Sequence, residues 1–456
     1  MSVRRTALAC CLIFATPAGA AIRTVTDTGD AGDGTCDATC TLRDAVNAAQ
    51  EDDRILFDLA LPAPIVVGLV GPPLQIDVPL RIVATDGVRT TVRRVAGTGR
   101  LMEVVGNGDA RVIGLSFENG SAPAPPDASA DGGAVFVAAG AALELRDCVF
   151  RGNRAQGATG DPMTVGPGMP ARGGAIHAAG DLLVENCAFV DNHAEGGEGA
   201  FDMVLAGGSG GAAAGGAVHA SGSVDILNAT FSGNSATGGN GGPGGMGGIG
   251  MPGADGGPGG SAQGGAVAFS ATAAPTLAFS TLIGNSAIGG TGGPGGIGGP
   301  PLDPEEPPLP SGIDGADGTA AGAAIDSAAT TVINVSVVAA NTGAQPCSGP
   351  ALAARTSNLV DDASCPGTVV AALEAQFEPI DAQADSPHYL PKFDSAAVDG
   401  AADCLDAVAF EAVDLDQLLT PRPLTVHQPP GRCDIGAIEH NPVLFGDGFE
   451  EPPPPP

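Results

Sequence analysis

The chain has 456 residues, of which 72 are glycine and 39 proline; this excludes a helix-rich enzyme of ordinary make-up and leaves a repeat protein or a disordered one. Apolar residues reach 43% and charged residues only 15%, so there is enough to bury and wholesale disorder is excluded. A formal charge of −32 argues against nucleic acid and anionic lipid as partners and leaves divalent cations compatible.

In chain order, Arg4 and Arg5 precede an apolar run from Ala7 to Ala15, and Pro17 to Ala20 offers small residues for cleavage. Residues 1–20 therefore read as a secretory signal peptide cut after Ala20, and its loss takes the charge to −34. Acylation at Cys10 fits less well, because Leu8 is misplaced and little apolar sequence precedes the cysteine. No later stretch approaches the roughly 18 charge-free apolar residues of a membrane helix, so no transmembrane segment is expected after cleavage.

Residues 21–53 form an N-terminal cap. Leu42, Ala45, Val46 and Ala49 share one helical face, with Thr41 as N-cap and Asp44 three residues on, which predicts a short amphipathic helix over 41–50 covering the first coil. The run from Cys40 to Ala45, within Thr24 to Asn47, resembles the CSLREA-type domain of exported bacterial proteins. Residues 54–117 then supply short alternating strands such as 54–57 and 112–117.

From Gly132 a block recurs: GGA and an apolar residue, a strand, then F-x-x-N. It runs from Gly132 to Asn153, Gly173 to Asn192 and Gly215 to Asn234, and drifts in the copies from Gly264 to Asn285 and Gly322 to Asn341. The block keeps a length of 19 to 21 residues while the asparagine spacing grows from 39 to 42, 51 and 56, so all growth lies in one loop. A constant rung with a variable insertion at one corner predicts an all-β, right-handed parallel β-helix over 54–345, pectin-lyase-like, with glycine-rich insertions at about 154–171, 193–214, 235–263 and 286–320. Period-two alternation stacks Phe117, Phe150, Phe189, Phe231, Leu282 and Val338 in one inward ladder. Asn153, Asn192, Asn234, Asn285 and Asn341 form a second, structural one at a turn, where asparagine tolerates left-handed backbone angles. The GGAI and F-x-x-N pairs between Gly132 and Asn341 resemble polymorphic outer-membrane protein repeats, which are right-handed β-helices; the resemblance implies a surface-displayed or adhesive role. A C-terminal membrane barrel of alternating strands is missing from the pattern.

Within the insertions glycine opens every triplet from Gly238 to Ser261 and from Gly289 to Pro300. Short runs inside closed loops argue against a collagen-like triple helix and for flexible coil or polyglycine-like strands packed beside the rod. Residues 346–440 read as a C-terminal cap. Asp394 to Gly400, Asp414 to Arg422 and Arg432 to Glu439 resemble the choice-of-anchor Q domain, and Phe445 to Glu450 resembles a short tail of exported Gram-negative proteins, within a proline-rich segment 441–456.

Eight cysteines remain after export, and their spacing suggests local structural pairs: Cys36 with Cys40, Cys347 with Cys365, and Cys404 with Cys433. Cys148 and Cys187 fall on the same inward position of adjacent rungs and fit either a disulfide or a reduced stack. Chemistry is sparse. His177 and His219 occupy equivalent outward positions, read as a solvent-facing pair that would need a loop residue such as Asp191 or His193 to complete a metal site. Glu144 is followed by Leu183 and Asp225, and Asp147 by Asn186 and Asn228, a pattern suited to turns. No tryptophan and one tyrosine leave no aromatic platform for sugars. Asp27, Asp30, Asp33 and Asp37, with Asp255, Asp314 and Asp317, make low-affinity calcium the one cofactor worth weighing; otherwise no cofactor, no defined metal ligands and no catalytic residue are expected. The reading is a secreted or cell-surface, monomeric, non-catalytic protein of a Gram-negative bacterium that binds an extracellular protein or glycan, with a polysaccharide lyase or hydrolase as the alternative.

Overall fold

The computed structural model describes residues 20–124, 128–270, 275–350, 352–354, 357–402, 404–405, 412–423 and 432–440. Residues 1–19, which include Cys10 and most of the expected signal peptide, and the tail from 441 onward lie outside the described residues. The chain is a right-handed parallel β-helix. Each coil crosses three long walls: a ten-stranded first wall from Ile22–Val25 to Leu352–Ala354, a ten-stranded second from Val66–Leu69 to Thr368–Val369, and an eight-stranded third from Leu74–Ile76 to Cys347–Ser348. Every strand pair within the walls is parallel, and the one sense of crossover follows from strand twist.

The GGA block forms the same turn in every coil that carries it. Gly132, Gly173, Gly215, Gly264 and Gly322 all have φ between 61° and 66°, a left-handed turn into the third wall that a side chain would resist. The second glycine lies under the next coil: a Cβ on Gly133 would sit 2.1 Å from the Gly174 carbonyl. At the last copy Ala323 replaces it, and its N–H donates to the Gln345 carbonyl of the next coil at 2.8 Å. The alanine that follows is buried, and the strand residue after it points into the core.

On the second wall Phe117, Phe150, Phe189 and Phe231 pair in register and stack at 5.0, 5.0 and 4.8 Å, continued by Leu282 and Val338. Each ring is worth about 2 to 3 kcal/mol in burial. Three residues on, Asn153, Asn192, Asn234 and Asn285 are fully buried, and Asn341 at the end of the column is half-buried. Asn153 Nδ2 donates to Asn192 Oδ1 at 2.9 Å, and the same bond links Asn192 to Asn234 and Asn234 to Asn285. Each Oδ1 also accepts a backbone N–H from the preceding coil. The left-handed angle expected of these asparagines belongs instead to the residue before each: Gly152, Asp191, Gly233, Gly284 and Ala340. The amide can satisfy the turn only from a side chain aimed inward, so its neighbour takes the strained backbone.

The N-terminal helix is Leu42–Asn47, shorter than the expected span because Ala48 closes it and Asp53 accepts the Gln50 N–H. Thr41 and Asp44 form a reciprocal capping box, and Leu42, Ala45 and Val46 roof the first coil. At the other end, Leu373, Phe377, Ala397, Ala401, Val413 and Ile435 pack on the outer side of the second wall against Phe279, Val335 and Val337. Arg422 is fully buried there, bonded to Glu439 at 2.9 Å and lying 4.8 Å over the Phe279 ring. Thr230 to Gln417 at 2.6 Å and Ser232 to Tyr389 at 2.8 Å fasten this segment along the wall.

Candidate functional site

Between the second and third walls the chain leaves the rod through a five-stranded sheet, Ser121–Pro123 to Ser286–Ile288, and returns through another, Ala130–Asp131 to Ala320–Ala321. These two sheets face each other through Ala155, Ala194, Ala236 and Ala287 on one side and Ala130, Ala171, Ala213 and Ala262 on the other. Alanine is the largest side chain that fits so close a pair of backbones.

Beyond this base the four insertions form one ordered flap of hairpins in two layers. Outgoing legs bond to outgoing legs, as Gly199 N–H to Asn240 O and Gly241 N–H to Thr291 O, both 2.8 Å. Returning legs bond likewise, as Gly210 N–H to Pro258 O at 2.8 Å and Gly259 N–H to Ala316 O at 2.9 Å. A third set crosses the layers in a zigzag from Gly197 through Gly211, Gly239, Gly260 and Gly290 to Gly318, at 2.7 to 2.9 Å. Bonds returning every three residues give each leg the threefold repeat of a polyproline-II chain. Two positions of each triplet face neighbouring legs, and a Cβ on Gly197 or Gly239 would meet a carbonyl oxygen at 1.9 or 1.8 Å. The third position faces outward, where Thr237, Asn240, Pro243 and Met246 stand. The polyglycine-like packing beside the rod is therefore the arrangement found.

The flap ends in two unlike borders. Its far rim, where the hairpins turn, exposes Met163, Met203, Val204, Met251 and Leu302, with Met163 at 92% and Leu302 at 80%. Its last edge would present free N–H groups, but Asp317, Asp314 and Ser311 accept from Gly292, Gly295 and Gly298 at 2.9, 2.7 and 3.4 Å. An open row of donors is thus closed by side chains at the leg's own three-residue spacing.

At the flap's base, on the third wall, Phe136, His177 and His219 share one outward column. They are not solvent-facing, as their strand position suggested: the histidines are 6% and 8% exposed, because the returning strands cover this strip of the wall. The rings stack at 5.5 and 4.9 Å, and the two Nδ1 atoms are 3.1 Å apart. Burial holds His177 down to about 4, with Arg172 and Arg100 adding to it, and His219 to about 3, with His177 and Arg172 adding. Two neutral imidazoles sharing one hydrogen bond follow. Beside them lies a hollow of about 380 Å³ lined by Pro73, Arg100, Pro123, Ser129, Asp131 and Phe136. Arg100 bonds Glu103 and lies 5.0 Å over Phe136, and Asp131 is 4.0 Å from His177. Sequence reading missed Phe136 and Arg100, although Phe136 holds the same place after GGA as His177 and His219.

The remaining candidates are dispersed. His193 lies on a strand of the outgoing sheet and bonds Ser235 at 2.8 Å, and Asp191 occupies a left-handed turn. Asp147, Asn186 and Asn228 all have φ above 50°, so this column is a turn, and Glu144 bonds Arg111 and Arg146. Asp30 pairs with Arg43 at 2.8 Å, and Asp27, Asp33 and Asp37 accept bonds from their own turns. Asp255 accepts from Ile313. Among the described residues no group of three or more His, Cys, Asp or Glu side chains could hold a metal ion. No described helix is long and apolar enough to cross a membrane.

Disulfides join Cys36 to Cys40, Cys347 to Cys365 and Cys404 to Cys433, with Cα separations of 4.5, 5.0 and 5.6 Å. Cys148 and Cys187 are free and buried. The Cys187 sulfur accepts the Cys148 N–H at 3.3 Å, as Ser280 Oγ does for Ala229 in the same column.

No known family profile and no curated protein sequence matches the chain. Among solved structures it is similar to pectate lyase Pel9A, at 12% identity over 92% of this chain and 96% of that one, with a TM-score of 0.28. It is also similar to the PL6 family alginate lyase AlyGC, at 10% identity over 72% of this chain and 51% of that one, with a TM-score of 0.19. Likeness at this level concerns the fold alone.

Proposed function

We propose that the chain is an exported, non-catalytic surface protein of a Gram-negative bacterium that holds an extracellular protein on the rim of its flap. One observation carries this reading: Met163, Met203, Val204, Met251 and Leu302 stand exposed at the turns of a hydrogen-bonded flap. Apolar side chains grouped on a rigid support mark interaction surfaces, and methionine adapts its shape to a partner. A protein partner fits better than sugar, since the rim is mainly methionine, valine and leucine with the aromatic Phe201 at 46% exposure among them, and better than anionic lipid, given the charge of −32. The resemblances to CSLREA, polymorphic outer-membrane protein and choice-of-anchor Q sequences support export and surface residence.

Retention of the purified protein on bacterial and host cells, with and without prior protease treatment of those surfaces, tests the reading. Wild type should be retained, protease treatment should abolish retention, and Met163→Ser, Met203→Ser and Met251→Ser together should do the same. Retention indifferent to these substitutions overturns the proposal. A polysaccharide-cleaving enzyme is the second reading, favoured by the hollow where Arg100 and Asp131 converge. Release of unsaturated products from polygalacturonate or alginate would establish it in place of the first.

A further inference from the structure

The outer face of the first wall carries a feature that neither the repeats nor the flap explains. Arg54 pairs with Arg81 and Arg81 with Arg111, so three guanidinium groups stand in register on consecutive coils. Strand spacing sets them about 4.8 Å apart along the rod. Arg54 and Arg81 are exposed, and among the described residues no carboxylate lies within ion-pair reach of either; Arg111 bonds Glu144 at 2.5 Å. Like charges directly opposite one another destabilise a sheet, and here they do so in a chain whose net charge is −32. Alongside runs a second outward column of half-buried Leu56, Val83 and Ile113, also in register. On the other side Asp109 stands two residues before Arg111 and bounds the strip.

We propose that this strip binds a linear acidic polysaccharide lying along the rod, with carboxylates on the guanidinium column and sugar carbon faces on Leu56, Val83 and Ile113. A guanidinium takes a carboxylate through two parallel hydrogen bonds, and a bridging polyanion turns the repulsion within the column into attraction. The axial repeat selects a polymer with an acid on successive units over isolated anions. The net charge of −32 repels every polyanion alike, so what favours a polysaccharide over a nucleic acid is the apolar column beside the arginines and the fixed register of the guanidinium groups. The inference rests on the surface-binding reading but uses a different face from the flap rim.

Binding of the full chain to immobilised polygalacturonate, with dextran as the neutral control, tests it. Arg54→Gln with Arg81→Gln should weaken binding at least tenfold and flatten its salt dependence, while Arg93→Gln, an exposed arginine on the second wall, should leave both unchanged. Far-ultraviolet circular dichroism of the variants should match wild type, and Arg54→Lys with Arg81→Lys should restore only part of the affinity. Equal affinity of wild type and the double glutamine variant, equal binding to dextran, or tighter binding to single-stranded DNA overturns the proposal. The rim variant should bind polygalacturonate normally. If the full chain ignores polygalacturonate yet keeps rim-dependent retention on cells, this inference fails and the proposed function stands.

Discussion

Replacing His177 and His219 by phenylalanine should remove most of the acid sensitivity of the central coils. Both histidines are neutral in the folded chain, held down to about 4 and 3 against 6.5 in an unfolded one. Their contribution is fully present above 6.5 and is lost as the pH falls toward 4, because only the unfolded chain then takes up the protons. Between pH 7 and pH 5 each histidine should cost about 2 kcal/mol, and the pair about 4. Phenylalanine extends the stack that Phe136 begins, and the strip is already buried, so the fold should tolerate it. Urea unfolding followed by circular dichroism at pH 7 and pH 5 measures the difference, and hydrogen exchange of the Ile176–Ala178 and Val218–Ala220 amides localises it. An identical loss of stability in wild type and in the double variant would refute the neutral, buried assignment.

Asp434 should show the opposite dependence. Burial, with Glu439 adding to it, raises its carboxyl to about 7 from an ordinary 3.8. The folded chain therefore holds a proton that the unfolded chain has released, and stability falls as the pH rises between those values, by about 2 kcal/mol from pH 5 to pH 7. Asp434→Asn should abolish that slope in the same unfolding experiment, measured on a His177→Phe, His219→Phe background so that the two effects do not cancel. At the flap, alanine at Ser311, Asp314 and Asp317 should uncover the last row of N–H donors and produce concentration-dependent association, read by light scattering. A variant that stays monomeric at high concentration would show that these side chains do not protect the edge.

The rung was legible because its signals are local and periodic. Alternation set the phenylalanine column, two glycines marked the turn, and a capping pair marked the helix. What escaped depends on distant segments meeting. Triplets of glycine state that two sides of each leg are crowded, yet they do not say which neighbour takes each N–H. The partners of Gly239, for example, are Gly211 and Gly260, on separate hairpin legs. His177 and His219 were placed on the outer side of their strand, as alternation requires, but outward here means beneath the returning sheet. The arginine column was hidden for another reason. Arg54, Arg81 and Arg111 lie in coils of unequal length that lack the GGA and F-x-x-N marks, so their register appears only when the strands are paired.

The distribution of constraint over the molecule bears on where binding can evolve. Inward columns are fixed by packing, and the paired glycines of the inner flap legs, such as Gly196 with Gly197 and Gly238 with Gly239, are fixed by carbonyl oxygens 1.8 to 2.0 Å from where a Cβ would stand. The third position of each triplet and the hairpin turns carry no such restriction. Each added triplet lengthens a leg by about 9 Å while leaving the rod untouched. Growth of the insertions, which first distinguished this chain from a plain solenoid, therefore moves the rim outward without disturbing the core that supports it. The arginine strip obeys the opposite rule: it lies on coils of the rod itself, where spacing cannot drift, and that fixed repeat is what a regular polymer requires.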